Sequence, residues 1–393
     1  MNGRQTPNLP GSQSNNFSDK PLILDLGTQA IKVGFSELQN GDRFPQMMIP
    51  TLVGFPKITK INSGSMQNQD QTFVGLEALK RSPLLCLKYP IEHGIILDWD
   101  EIDMLINHCV NSQMKVNFSE LHGGLMMSEA PLNPKRNREK LAELVFEKYQ
   151  VPKFQISMQS LNALYAEGLH SGLVLECGEG ISTCVPIVEG YVQSHAIQRL
   201  DIGGRDINEY LMDLLKSKVV FTTTFEREFV RDIKEQCCSI KTSTNQQLDR
   251  KKYSLPDGKS IEISNEQFDA TEILFNSSLI GKDGEGLQHL VLNAIEKCEI
   301  DTRKALTSNL ILAGGSTMFK GFSERLYQEI GKQAHLEGNN YQFNIIEKPY
   351  RRYTSWIGAS ILASLSSFQP KWITKSEFEE HGVAIVHKKS MIY

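Results

Sequence analysis

The sequence predicts an α/β fold built from two related halves, and three observations carry that reading. The segment LILDLGTQAIKVGF (Leu22–Phe35) has a counterpart in LVLECGEGISTCVPI (Leu173–Ile187). Each runs as an apolar strand, an acidic residue, one spacer, a glycine, a polar turn and a second strand, with Asp25 and Glu176 in matching places. A third strand-to-glycine element, NLILAGGSTMFKG (Asn309–Gly321), follows, and strand segments alternate with helical periodicity in each half.

Taken in order, residues 1–20 are rich in Asn, Ser, Gln and Pro and read as a disordered tail. PLILDLGTQAIKVGF alternates around a glycine turn and reads as a β-hairpin. The polar stretch KITKINSGSMQNQD (Lys57–Asp70) reads as a mobile exposed loop. Helical periodicity covers Asp98–Val116 and Asn137–Tyr149. Lys135, Arg136, Arg138 and Lys140 stand beside Glu139 and Glu143, a solvated helix start rather than a nucleic-acid patch. SWIGASILASLSSF (Ser355–Phe368) is too short to span a bilayer and reads as a packed core helix.

Composition agrees with this architecture. The 393 residues are 40% hydrophobic and 22% charged, which suits two or three globular domains and excludes a collagen-like, coiled-coil-only or fully disordered chain. Lys and Arg number 42 against 46 Asp and Glu, a net charge of -4, so no global basic field points to nucleic acid or an anionic membrane. Seven cysteines without a C-x-x-C pair read as reduced, mostly buried thiols. The polar start lacks the apolar core of a secretory signal, and the expectation is a soluble, intracellular protein without membrane insertion.

A strand that ends in a tight glycine turn leaves backbone N–H groups open to close approach, and such a nest binds phosphate oxygens. A carboxylate at the end of that strand can hold Mg²⁺ through water. Asp25 and Glu176 have this placement, and Lys32 on the first return strand can reach a phosphate as a point charge. One hairpin alone is more often a structural turn; two matching hairpins with an A-G-G-S-T turn favour a nucleotide clamped between domains. Arg231, Lys234 and Glu235 share one helix face, which would frame a base or ribose or, equally, form a salt-bridged surface.

KYPIEHGII (Lys88–Ile96), EAPLNPKRNREK (Glu129–Lys140), FTTTFEREFVRDIKE (Phe221–Glu235) and SWIGASILASL (Ser355–Leu365) resemble segments of actin and its relatives, and the likeness extends over nearly the whole chain after the tail. Within that family ISMQ (Ile156–Gln159), SLPDGKSIEI (Ser254–Ile263), LIGKDGEG (Leu279–Gly286) and GGSTMFKGF (Gly314–Phe322) lean towards the centractin branch, whose members form the short filament of dynactin. The resemblance implies the actin-like ATPase fold, with two lobes (four subdomains) around a central nucleotide cleft. Residues 21–158 and 353–393 would form the first lobe, with an exposed loop at 57–72, and residues 159–352 the second.

By motif match, Gly27, Thr28, Lys32, Gly178, Glu179 and Gly180 would hold phosphates, and Asp25 and Glu176 would lie beside Mg²⁺ through water. Arg231, Lys234, Glu235, Gly314, Gly315, Ser316, Met318 and Arg352 would surround the nucleoside of ATP or ADP, and Gln159 would orient the attacking water. His93 matches a family histidine below the cleft, a place that a satisfied core histidine explains equally well. Four departures bear on hydrolysis. Glu176 and Glu179 replace family aspartates, the extra methylene moving each carboxylate by ~1.5 Å. Thr183 replaces the family histidine and offers no titratable base near neutral pH. Arg352 stands for the usual lysine. The expectation is nucleotide binding with slow or absent hydrolysis.

The resemblance also implies self-association into an actin-like filament in the cytoplasmic cytoskeleton, with dynactin-type subunits, capping proteins and, indirectly, dynein as partners. Leu279, Ile280 and Gly281 keep an apolar plug that Lys282 and Asp283 follow at once, and the Cys238–Tyr253 loop is short. Weak assembly stabilised by caps fits these features. A divergent cytoplasmic actin, or an actin-related subunit of a ciliary or chromatin-remodelling assembly, is the alternative. A phosphotransferase of the same fold ranks below both, for want of a sugar-binding segment.

Overall fold

A computed structural model describes residues 19–36, 44–57, 72–221, 224–243, 249–255, 258, 260–282, 285–336, 338–339 and 341–390. The tail before residue 19 and most of the 57–72 loop lie outside the described residues, as do Asp283 and part of the Cys238–Tyr253 loop.

Two six-stranded mixed sheets organise the chain, and both grow from the hairpins seen in the sequence. In the first, β1 (Leu22–Leu26) pairs antiparallel with β2 (Ala30–Phe35) and parallel with β3 (Leu125–Glu129), which pairs parallel with β4 (Lys153–Met158). Met47–Pro50 and Ile373–Thr374 close the two edges. In the second, β5 (Gly172–Cys177) pairs antiparallel with β6 (Ser182–Val188) and parallel with β7 (Leu310–Ala313). Tyr191–Val192, Gln198–Leu200 and Ile345–Ile346 extend it. The register repeats: Asp25 faces Lys32 and Ser128 across its two neighbours, and Glu176 faces Thr183 and Ala313.

The central strands are buried along almost their whole length and mostly apolar, with Asp25, Ser128, Glu176 and Thr183 among the polar exceptions, as suits sheets covered on both faces. On β1, Leu22, Leu24 and Leu26 enter one core with Ile31, Val33, Met127 and Ile156. Ile23 faces the other way and packs with Met126, Trp356, Ile357 and Trp372. The second core gathers Leu173, Leu175, Leu310 and Leu312.

Four helices position the cleft: α1 (Gln159–Ala166), α2 (Gly204–Leu215), α3 (Thr224–Cys237) and α4 (Thr354–Ser364). Of the predicted core helix Ser355–Phe368, the part to Ser364 is helical and largely buried, with the Trp356 indole donating to the Ile23 carbonyl at 3.3 Å, whereas Leu365–Ser367 are exposed and lead into a short 3-10 turn. Gly358 lets α4 lie directly on α1: a Cβ there would overlap the Asn162 carbonyl. The predicted Asp98–Val116 helix forms over Trp99–Asn107, capped by the Asp98 carboxylate, and continues to Met114 in wider π turns. Lys135–Glu143 likewise continues in π turns to Lys148. The seven cysteines are free, with Cys86 exposed and the other six buried.

Candidate nucleotide cleft

The two acidic residues sit at the same height in their sheets but in different electrostatic surroundings. Asp25 is fully buried. Its Oδ2 accepts from Lys32 Nζ at 2.7 Å, and its Oδ1 accepts from Gln159 Nε2 at 2.9 Å, Ser355 Oγ at 3.1 Å and the Ser128 hydroxyl. Burial pushes this carboxyl up, but the Lys32 ammonium and the hydrogen bonds outweigh it and hold Asp25 below the usual carboxylate range. Glu176 has Ser160 Oγ at 3.3 Å. Burial, and after it the Asp25 charge, pushes its carboxyl up to about 7, with Lys32 and Ser160 offsetting part of the rise.

A single cleft of about 490 Å³ opens between the hairpins. Gly27, Thr28, Lys32, Gln159, Glu176, Gly178, Glu179, Gly180 and Thr183 line it from the two turns and the start of α1. Lys234, Glu235, Gly314, Gly315, Ser316, Met318 and Arg352 line it from the side of α3 and β7. The third glycine turn is a close approach of backbones. Gly314 adopts a φ of 89, and a Cβ there would run into the Cys177 carbonyl. Ser316 Oγ then donates to the Gly178 carbonyl at 2.8 Å, tying the third turn to the second.

Two of the expected residues lie apart from this lining. Asp25 sits behind Lys32, Gln159 and Ser355, and its carboxylate meets the cleft through these three. Arg231 pairs with Glu228 at 2.8 Å, one turn of α3 away from Lys234 and Glu235. The predicted Arg231–Lys234–Glu235 face therefore divides into a cleft part and a salt-bridged part. Lys234 donates to Glu179 at 3.2 Å and to the Gly204 carbonyl at 2.9 Å. Gly204 lets the pair close, since a Cβ there would overlap the Glu179 carboxylate and crowd the Lys234 ammonium. Gln159 spends its amide nitrogen on Asp25 and on the Leu26 carbonyl at 3.2 Å, which turns its amide oxygen into the group left to accept from a water. His93 holds a φ of 47, and its Nδ1 is 2.8 Å from the Gly180 carbonyl, so it bridges the two halves.

The profile of the Actin family matches residues 18–391. The chain belongs to the actin family. This accords with the two-lobed mixed α/β fold described above. Members of the actin family generally bind ATP or ADP with a divalent metal and generally self-associate into filaments. The cleft fits a nucleotide: a Cβ on Gly315 would meet nothing within 4 Å and one on Gly178 only the Ile181 carbonyl at 3.5 Å, so both backbones border open space. Among the described residues no group of three His, Cys, Asp or Glu side chains could hold a metal ion. A hydrated Mg²⁺ would thus rely on phosphate oxygens and on Glu176 through water, as its reluctance to dehydrate favours. Among the described residues no helix is long and apolar enough to cross a membrane.

Several residues in or behind the lining escaped sequence reasoning. Ser128 and Ser355, which hold Asp25, lie 103 and 330 positions away along the chain, and only strand register and the seating of α4 bring them in. Arg351 is buried and donates to the Thr317 carbonyl at 2.9 Å, fixing the third turn, whereas the motif match points to its neighbour Arg352. Gln29, Cys238, Lys251 and Lys320 line the cleft with no motif to mark them.

Proposed function

We propose that this protein is an ATP- or ADP-binding filament subunit of the centractin type, working in a dynactin-like assembly that links dynein to cargo, with slow or absent ATP hydrolysis. One observation supports nucleotide binding above the others: two hairpins of matching register, Asp25–Lys32 and Glu176–Thr183, flank one cleft of about 490 Å³ with glycine turns on both walls. In this reading the backbones of Gly27, Gly178 and Gly315 cradle the phosphates, Lys32 supplies charge, and Lys234, Glu235, Ser316, Met318 and Arg352 surround the nucleoside. When bound, Mg²⁺ would neutralise phosphate charge and orient water.

Slow hydrolysis follows from the chemistry of the lining. Thr183 can hydrogen-bond a water but cannot take its proton, and Gln159 has only an amide oxygen left to position one. Glu176, whose carboxyl is pushed up to about 7 by burial and the Asp25 charge, is committed in this reading to the hydrated metal. The test is to purify the protein, quantify nucleotide released on denaturation, and follow phosphate release from saturating Mg-ATP over hours. Bound ATP or ADP with little phosphate is expected. Brisk turnover would refute the slow-ATPase part, and an empty protein would refute binding.

A further inference from the structure

Superposing the two hairpins by sequence aligns Asp25 with Glu176, Gly27 with Gly178, Lys32 with Thr183 and Gln29 with Gly180. The last pair breaks the repeat. The second turn has glycine where a Cβ would press on Thr28 and His93, whereas the first turn carries a long amide at the same place. That amide crosses the cleft. Gln29 Nε2 donates to Glu235 Oε1 of α3 at 3.4 Å, and both residues line the cavity. The backbone below it is firmly held: Thr51 N donates to the Gln29 carbonyl at 3.0 Å and Thr51 Oγ1 to the Gly27 carbonyl at 2.7 Å.

Other contacts also join the two walls: His93 Nδ1 lies 2.8 Å from the carbonyl of Gly180, a lining residue, and a second group lies outside the lining. The Tyr89 hydroxyl lies 3.4 Å from Glu228 Oε1, Arg205 covers the Tyr89 ring at 5.3 Å, and Arg205 reaches Glu92 at 3.4 Å. The Gln29 bridge differs, because it occupies the carboxylate that the proposed nucleotide would need.

We propose that Gln29 is a built-in strap that ties the first turn to Glu235 across the cleft and competes with a nucleotide for that carboxylate. Its closing action stands on the geometry alone, and its competition with ligand rests on the nucleotide reading above. A ligand that binds only the unstrapped form has its affinity lowered by the fraction of molecules that are unstrapped. Removing a hydrogen bond to a charged group at a partly exposed site should raise affinity several-fold, up to about tenfold. The gain should lie in the association rate, with dissociation unchanged.

Gln29→Ala and Gln29→Asn test this. The backbone at Gln29 does not need a positive φ, so either substitution suits the turn, and asparagine retains the amide on a stem too short to reach Glu235. Amide hydrogen exchange across residues 224–237 of nucleotide-stripped protein reads closure. Stopped-flow binding of a fluorescent N-methylanthraniloyl-ATP with Mg²⁺ reads competition. Faster exchange in both variants, with tighter and faster binding, is expected. Unchanged exchange in both variants overturns the strap, even if binding changes, because Gln29 would then act on ligand directly. Faster exchange without nucleotide bound by any of the three proteins upholds the strap and overturns the nucleotide reading.

Discussion

Asp25 and Glu176 occupy equivalent positions in the two hairpins, yet their carboxyls are displaced in opposite directions. The difference comes from the facing strand, which supplies Lys32 to Asp25 and Thr183 to Glu176. Asp25, lowered by its cation and donors, contributes stability that is present above its unfolded pKa near 3.8 and lost as pH falls through the depressed folded value. Glu176, raised from 4.5 to about 7, contributes in the other sense: its share is full below 4.5 and is lost as pH rises through about 7. Glu176→Gln should therefore gain on the wild type between pH 5 and pH 8, in EDTA and without nucleotide, by up to ~3 kcal/mol in urea unfolding. A stability difference that stays constant across this range would count against the assignment. Lys32→Met removes the cation from a buried carboxylate and should cost about 3–5 kcal/mol in the same assay; a loss too small to detect would mean that Asp25 takes up a proton or is held by its other donors.

At the scale of elements, the junction between the halves depends on helix contact without side-chain bulk. Gly358 of α4 lies against the Asn162 carbonyl of α1, and Asn162 Nδ2 in turn donates to Ser157 at 2.8 Å. Gly358→Ala must push the helices apart and should cost about 1–3 kcal/mol or more, seen as a lowered thermal midpoint; an unchanged midpoint would show that the junction yields freely. The C-terminal segment is held by a different device. Thr374 and Glu377 form a capping box at Lys375–His381, and Lys389 donates to both Glu377 oxygens at 2.7 and 2.9 Å. The Lys389 bonds and then the Thr374 backbone hold the Glu377 carboxyl down at about 2. Its stabilising share is thus present above pH 4.5 and lost as pH falls through about 2. Since the side chain is 34% accessible, screening limits the effect to under ~1 kcal/mol. Glu377→Gln should lower stability slightly at pH 7 and match the wild type near pH 2, which acid titration of unfolding can follow.

Across the whole molecule, the proposed self-association can be tested at the exposed apolar turn. The apolar plug segment forms a turn at Ser277–Ile280 ending on Gly281, with Leu279 exposed. Lys282 follows and donates to Asp206 at 2.9 Å and to the Asp201 carbonyl, which ties the plug to its own lobe. An anchored plug of this size fits weak self-assembly. Pure protein at low micromolar concentration with Mg-ATP is expected to stay largely in the supernatant on high-speed centrifugation. Long filaments in the pellet by electron microscopy would count against the capped, short-filament reading.

Much of this was legible without coordinates. The hairpins, their acids, the glycine turns and the buried helix from Thr354 follow from strand alternation, turn chemistry and apolar content, all short-range properties of the chain. The likeness of whole segments carried the family and about half of the cleft lining. Sequence alone thus determined the main elements and the glycine turns that border the cleft. Tertiary structure decided what those residues are free to do: Asp25 is enclosed by serines from β3 and α4, Arg231 is spent on Glu228, and Gln29 meets Glu235 across 206 positions. The reason is physical. Burial and charge pairing depend on neighbours brought together by sheet register and helix seating, which no local pattern in the chain encodes.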